Sequence, residues 1–151
     1  MRVVIVGPRQ AGKSRIANAL SGIEPLASSQ TYRPTVAARI LNFDIEPENT
    51  VTIYDTSGDP SYVHLIPAFC VQPMILLIVW PSDKPATVDE MNQYTVNTGV
   101  GPDDCLVIFF GSTKATSTSF PSIASTSIEL SASEPAEIKN AVVDWLRKHI
   151  T

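Results

Sequence analysis

The sequence has little charge, few cysteines and no basic cluster, and each scarcity excludes a class of protein. Only 17% of its 151 residues are charged, and the formal net charge is −4 with a pI near 5.0. This balance argues against a nucleic-acid partner held by electrostatic attraction. The two cysteines, Cys70 and Cys105, are too few for a disulfide framework and lie in apolar surroundings, so we expect buried thiols in a reducing compartment.

Long apolar runs are also missing. The most apolar segment, Met74 to Trp80, is far too short to cross a bilayer. A strand pattern follows Arg2 directly, which leaves no room for a signal peptide, and the ending His-Ile-Thr151 has no cysteine for a prenyl anchor. We therefore expect no direct membrane anchor. An apolar content of 44% is typical of a soluble domain whose core needs neither disulfides nor a structural metal.

What the sequence does have is a glycine-rich phosphate-binding pattern near its start. An apolar run of strand type ends at Gly7, and a helical pattern opens after Gly12. Between them lies Gly-x-x-x-x-Gly-Lys-Ser, the P-loop, whose N–H groups can surround an anion at a helix N-terminus. An ordinary strand-to-helix turn is the competing interpretation. The nucleotide-binding residues predicted from this pattern are Gly7, Arg9, Gln10, Ala11, Gly12, Lys13, Ser14 and Arg15.

Three later residues can complete a site for a nucleoside triphosphate and Mg²⁺. We expect Lys13 to reach the outer phosphates and the Ser14 hydroxyl to bind the metal. Thr35 can add a second hydroxyl to the metal, and Asp55, at the end of a strand pattern, can hold its outer shell. Gly58 can offer a backbone N–H to the γ-phosphate. The predicted metal site is therefore Ser14, Thr35 and Asp55.

Apolar periodicity and turn signals predict the order β-α-ββ-α-β-α-β-loop-β-α, an α/β three-layer sandwich. The final helix is expected after a cap at Ser133, and residues 111–124 are expected to form a loop. The other predicted elements are a strand at Val3–Val6, a helix from Gly12 to about Leu20, a hairpin of 41–45 and 51–54 joined by 46–49, a short helix within Ser61–Phe69, strands at 74–80, 105–110 and 126–130, and a helix opened by Thr87–Glu90.

Together, the segments Gly7–Ser14, Thr35 and Asp55-Thr-Ser-Gly58 resemble the motifs of the Ras-like small GTPases, and Tyr-Arg-Pro-Thr35 is similar to the Rab branch. The resemblance covers essentially the whole chain. It implies a P-loop NTPase fold in a single domain, residues 1–151, with a mostly parallel six-stranded sheet and helices on both faces, the fourth helix being reduced or absent. It also implies a fifth motif beginning at Ser131, in which the Ala132 N–H meets a base edge.

Members of that family read guanine with Asn-Lys-x-Asp, and here the chain departs from them. The corresponding region is Gly-Ser-Thr-Lys114-Ala-Thr116, which lacks the acid in either possible alignment. Lys114 can still lie along the base and ribose. A site that lacks the residue that hydrogen-bonds guanine also lacks the selectivity between bases that this residue supplies. We therefore expect ATP/ADP as well as GTP/GDP to be ligands, with Mg²⁺.

The hydrolytic residues depart as well. The family places a Gln after Asp-x-x-Gly to orient the attacking water, whereas this chain has Asp59. Arg9 stands where the family keeps a small residue, and there it crowds the γ-phosphate; stabilising that phosphate in cis is the alternative. We expect slow or absent turnover and assign no catalytic residue.

Several short segments resemble a narrower group, the Rab-like subunit of the intraflagellar transport B complex. They are Gly7-Pro-x-x-x-Gly-Lys, Arg-Pro-Thr35, Arg39-Ile-Leu-x-Phe43, Ser-Gly-Asp59 and the closing Glu-Ile-Lys…Trp-Leu-Arg-Lys148. That resemblance implies a subunit that binds the complex's coiled-coil proteins in the cytoplasm and the cilium or flagellum. A cycling Rab-type switch in membrane traffic and a nucleotide-free scaffold are the alternatives.

Overall fold

The structure, a computed structural model, describes residues 1–23, 33–111, 120–131 and 134–150. Its strands are β1 (Arg2–Val6), β2 (Ala38–Glu46), β3 (Asn49–Thr56), β4 (Met74–Pro81), β5 (Cys105–Phe110) and β6 (Thr126–Leu130). Its α-helices are α1 (Lys13–Ser21), α2 (Ile66–Phe69), α3 (Val88–Asn92) and α4 (Pro135–Ile150). Short 3₁₀ segments at Pro60–Leu65 and Pro102–Asp104 precede α2 and β5.

All six strands belong to one sheet with the order β2-β3-β1-β4-β5-β6. The hairpin strands β2 and β3 pair antiparallel, and every other neighbouring pair is parallel. In β1, the residues from Val3 to Val6 are fully buried, because a central parallel strand is covered on both faces. The predicted mostly parallel, six-stranded sheet is confirmed.

Helices on the two faces of the sheet enclose two separate apolar cores. On one face α1 and α4 pack against strand residues such as Ile5, Leu77 and Ile108. On the other face, Ile66 of α2 and Met91 of α3 pack against the strand residues that alternate in sequence with those of the first core. Successive side chains of a strand point to opposite faces, so each buried strand supplies both cores. The three-layer α/β arrangement is therefore confirmed.

The predicted single short helix within Ser61–Phe69 is wrong in detail. The segment is a 3₁₀ stretch, Pro60–Leu65, followed by the single α-helical turn of α2. Pro67 explains the break, because it has no N–H with which to continue a regular α-helical ladder. The predicted boundaries of the other elements differ from the observed ones by one or a few residues, as is usual at frayed ends.

Both cysteines are free thiols, but only one is buried as predicted. Cys105, at the start of β5, is buried, and burial raises its pKa to about 12. Cys70, after α2, is only partly buried, which corrects the prediction for that residue. Partial burial still raises the pKa of Cys70 to about 11, with the Arg2 charge acting in the opposite direction.

The connection between β5 and β6 is described at Gly111 and at residues 120–125. These residues contain a turn and no helix, in agreement with a reduced or absent helix at this position. Phe120 and Ile123 fold back into the second core, which fixes the turn against the sheet. The rest of the predicted loop, residues 112–119, lies outside the described residues, as does the predicted cap Ser133.

Because β1 and β3 are parallel, their carboxyl ends meet at the same edge of the sheet. The loop after β1 contains Gly7, and the loop after β3 contains Gly58, so both predicted phosphate-binding segments lie at this edge. Open α/β sheets bind ligands in the crevice outside the carboxyl ends of their strands. Every helix among the described residues is too short or too polar to cross a lipid bilayer.

Candidate functional site

Two glycines shape the loop that connects β1 to α1. Gly7 has a φ of 145°, and a Cβ there would lie 2.0 Å from the Val79 carbonyl oxygen of β4. Gly12 has a φ of 102°, and a Cβ there would lie 2.2 Å from the Phe110 ring. Only glycine satisfies both the backbone angles and the close approach. Gly12 also caps α1 without a side chain, which leaves the first N–H groups of the helix for an anion.

Most of the predicted nucleotide-binding residues surround one cavity of about 200 Å³ at this loop. They are Gln10, Ala11, Gly12, Lys13, Ser14, Arg15, Thr35 and Gly58, joined by Arg33, which the sequence did not predict. Three loops meet here: the loop after β1, the segment before β2 and the loop after β3. Arg9 instead lines a second cavity of about 360 Å³, on the other side of Gly58.

Lys13 supplies a buried positive charge to the cavity. Its side chain crosses the loop, its Nζ donates to the Pro8 carbonyl oxygen at 2.7 Å, and only 6% of the residue is exposed. Burial lowers the pKa of Lys13 to about 8, while the Asp55 carboxylate acts in the opposite direction. An anion in the cavity would favour the charged ammonium that burial disfavours. Gly58 comes so close that a Cβ there would lie 2.6 Å from the Lys13 Nζ.

The three predicted metal ligands form one cluster beside the cavity. Ser14 Oγ donates to Asp55 Oδ2 at 2.7 Å and lies 3.2 Å from Thr35 Oγ1. Asp55 is fully buried, and its Oδ1 has no hydrogen-bond partner in the described part of the chain. Mg²⁺ prefers oxygen ligands and keeps several waters, so two hydroxyls and a carboxylate with an orphaned oxygen fit this ion.

Arg39 belongs to the same cluster, although its sequence position predicted no role for it. Its Nε and Nη2 donate to Asp55 Oδ2 at 3.2 and 3.0 Å, and its Nη2 also donates to Asn18 Oδ1 at 2.8 Å. Arg39 lies directly opposite Asp55 in the β2–β3 ladder, and Asn18 comes from α1. The alternation of apolar and polar residues in β2 could have indicated this contact, because Arg39 is a charged residue on an otherwise apolar face of the strand.

Arg9 and Asp59, predicted separately as departures from the family, form an ion pair. The Arg9 guanidinium donates to Asp59 Oδ2. The other carboxylate oxygen accepts from the Ser61 N–H at 3.0 Å and from the Ser61 hydroxyl at 2.9 Å, which caps the 3₁₀ segment. The Ser61 N–H, then the Arg9 side chain and the Ser61 hydroxyl, hold the pKa of Asp59 below its usual value. The pair links the P-loop to the segment after Gly58.

The predicted base-binding end of the site is described only in part. Ser131 is exposed directly after β6, and the Gly111 N–H after β5 donates to the Leu130 carbonyl oxygen at 3.0 Å. The ends of β5 and β6 are thereby held side by side at the same edge of the sheet as the P-loop. Lys114 and Ala132 lie outside the described residues, so their predicted contacts with the base stay predictions.

The family follows from comparison of the sequence with family models. Residues 2–114 match the Roc family, described as Ras of Complex, Roc, domain of DAPkinase. The chain therefore belongs to this family of Ras-like small GTPase domains, a class that binds guanine nucleotides with Mg²⁺. No curated protein matches the chain significantly in sequence.

Two solved structures show the same fold. The chain is similar to GTP-bound IFT22 of T. brucei, with a TM-score of 0.71 and 18% identity, covering 99% of this chain and 95% of that one. It is also similar to the Arl6 BBS3 small GTPase of Trypanosoma brucei bound to GppNp, with a TM-score of 0.67 and 14% identity, covering 99% and 96%. The resemblance to Ras-like GTPases is confirmed, and at these identities the two structures support the fold alone.

Proposed function

We propose that residues 1–151 form a single domain that binds a nucleoside triphosphate with Mg²⁺ at the P-loop cavity and acts as an assembly subunit. The observation that carries this proposal is the nearly buried Lys13 ammonium, which lines a cavity beside the first turn of α1. Burying an ammonium is costly unless a partner compensates, and a polyphosphate is the partner that this loop geometry suits.

In this proposal each part of the site has a separate task. The N–H groups of Gly7 and of residues 9–15, together with the Lys13 side chain, hold the phosphates, and Gly58 approaches the γ-phosphate. Ser14 and Thr35 would bind Mg²⁺ directly, and Asp55 would hold it through water. Lys114, Ser131 and Ala132 contact the base and ribose. When bound, Mg²⁺ would compensate part of the phosphate charge.

We expect GTP and ATP to bind with affinities within about tenfold of each other, or about 1.4 kcal/mol. The reason is the missing acid after Lys114, without which the base loses a hydrogen-bonding reader. Titration of nucleotide-free protein with each triphosphate in excess Mg²⁺ measures the ratio. A preference for GTP of about a hundredfold or more would contradict weak base discrimination. Failure of both nucleotides to bind would favour the scaffold alternative.

We also propose that hydrolysis is slow. Asp59 Oδ1 already accepts two hydrogen bonds from Ser61, and Oδ2 accepts one from Arg9, so most of the acceptor capacity that could orient a water is already in use. A negative charge close to the γ-phosphate also opposes the approach of a nucleophile. Rapid single-turnover hydrolysis in the presence of cell extract would instead favour a cycling switch.

The partner class we propose is the set of coiled-coil subunits of the intraflagellar transport B complex, in the cytoplasm and the cilium or flagellum. The support is the short sequence segments described above and the similarity in fold to IFT22. The test is reconstitution of the triphosphate-loaded chain with those subunits, followed by size-exclusion chromatography. Co-elution supports the assignment, and separate elution of folded, loaded protein contradicts it.

A further inference from the structure

The metal-site carboxylate is already paired with a cation that the chain itself provides. Asp55 is fully buried, and its Oδ2 accepts from Ser14 and twice from Arg39. The Arg39 guanidinium is in turn fixed by Asn18 at 2.8 Å, and 38% of its side chain is exposed. Two elements, β2 and α1, therefore hold one positive charge against this carboxylate.

We propose that Arg39 is a built-in counter-cation of the metal site, which makes nucleotide binding by this protein depend only weakly on Mg²⁺. The inference rests on the proposed nucleotide-binding function and adds to it how the site responds to loss of the metal. Arg39 acts as a positioning residue, because it contacts Asp55 and Asn18 and not the nucleotide.

The physical reason is that a chelator removes the positive charge of Mg²⁺ but leaves the negative charge of the metal-site carboxylate. In a site of this kind, removal of Mg²⁺ exposes the bound phosphates to a buried carboxylate of the same sign, and a low dielectric strengthens that repulsion. Here the Arg39 guanidinium stays paired with Oδ2 and continues to compensate the negative charge of Asp55. The orphaned Oδ1 remains for metal-bound water, so Arg39 and Mg²⁺ can be present together.

The first measurement uses the unmodified protein loaded with a fluorescent GDP. Its dissociation rate is followed in excess unlabelled GDP, once with Mg²⁺ and once with EDTA, and the ratio of the two rates is the chelator effect. We expect EDTA to accelerate dissociation by less than about tenfold. A chelator effect of about tenfold or more overturns the proposal.

The second measurement compares variants. Arg39→Met removes the charge while keeping most of the stem, and we expect the chelator effect to rise about fivefold, because the rate in EDTA increases far more than the rate in excess Mg²⁺. Arg147→Met is the matched control, because Arg147 pairs with Asp144 on the exposed face of α4. An increase of less than about threefold for Arg39→Met, or an equal increase for Arg147→Met, overturns the proposal.

Two further variants keep the test decisive if Arg39→Met fails to fold. Asn18→Ala leaves the charge but removes the acceptor that orients it, and Arg39→Lys keeps the charge without a planar fork that reaches both partners. Each is expected to give a chelator effect above that of the unmodified protein, and Arg39→Lys one below that of Arg39→Met. Unchanged ratios in both variants overturn the proposal.

The same data separate this inference from the proposed function. If no nucleotide binds in excess Mg²⁺, the proposed function fails. If nucleotide binds in Mg²⁺ but leaves rapidly in EDTA, the proposed function stands and the role of Arg39 fails. A structural role alone would change both rates together and leave their ratio constant.

Discussion

Replacing Lys13 with methionine is expected to lower the affinity for GTP at least about 100-fold, which corresponds to about 2.7 kcal/mol. The Lys13 ammonium is nearly buried and lines the cavity, so a phosphate there would meet it with little water between them. Hydrogen bonds to charged groups contribute about 1.5–3 kcal/mol, and the Coulomb attraction adds to this in a partly desolvated site. Titration with GTP in excess Mg²⁺ measures the change.

Methionine is the right replacement because it keeps an unbranched stem of similar length in the packed loop. The fold should survive, since the loss of the bond to the Pro8 carbonyl is offset by the removal of a buried charge. Lys84→Met is the matched control, because Lys84 is exposed and lies over the Trp80 ring, outside the P-loop cavity. Unchanged affinity in Lys13→Met, with a normal thermal melt, would place the nucleotide elsewhere.

The P-loop could be predicted from the sequence because its residues impose the geometry locally. Gly7 and Gly12 have φ angles of 145° and 102°, which side-chain-bearing residues rarely adopt, so the glycines of the motif themselves permit the shape of the loop. The strand before it and the helix after it were visible in the periodicity of single segments. Nothing distant in the chain was needed to place Lys13 and Ser14.

The contact between Arg39 and Asp55 was not predicted, although the apolar pattern of the hairpin contained the register that produces it. Counting back from the Glu46–Asn49 pair without a bulge would place Arg39 opposite Thr56, on the other face from Asp55. The ladder shifts by one residue between Asp44 and Glu46, which brings Arg39 directly opposite Asp55. The apolar pattern required that shift, because only then do both strands bury their apolar residues on one face.

The pairing of Arg9 with Asp59 had no comparable signal. The two residues are 50 positions apart and belong to separate loops, so neither periodicity nor spacing relates them. Their contact depends on the close approach of Gly58 to the backbone of the P-loop, where a Cβ would lie 2.6 Å from the Arg9 nitrogen. Such a contact depends on tertiary packing and cannot be predicted from any local segment of the sequence.

Releasing this pair is expected to increase GTP hydrolysis. In the double variant with Arg9→Gly and Asp59→Gln, single-turnover hydrolysis should rise at least about tenfold, since a positioned group commonly contributes more than that to a proton-transfer step. Glutamine can both donate to and accept from a water, whereas Asp59 can only accept, and its oxygens already accept from Arg9 and Ser61. Removing Arg9 also takes away the partner that holds the side chain at position 59. Phosphate release from preloaded protein measures the rate.

The control is the double variant with Arg9→Gly and Asp59→Asn, which loses the ion pair but carries an amide too short to reach the same water. If it accelerates as much as the glutamine variant, relief of the ion pair is the cause and water positioning is not. If Arg9→Gly alone slows hydrolysis, Arg9 stabilises the γ-phosphate in cis. If hydrolysis stays unchanged in the glutamine variant while GTP still binds, the ion pair does not limit the rate of hydrolysis. The activation barrier is then determined by residues other than Arg9 and Asp59.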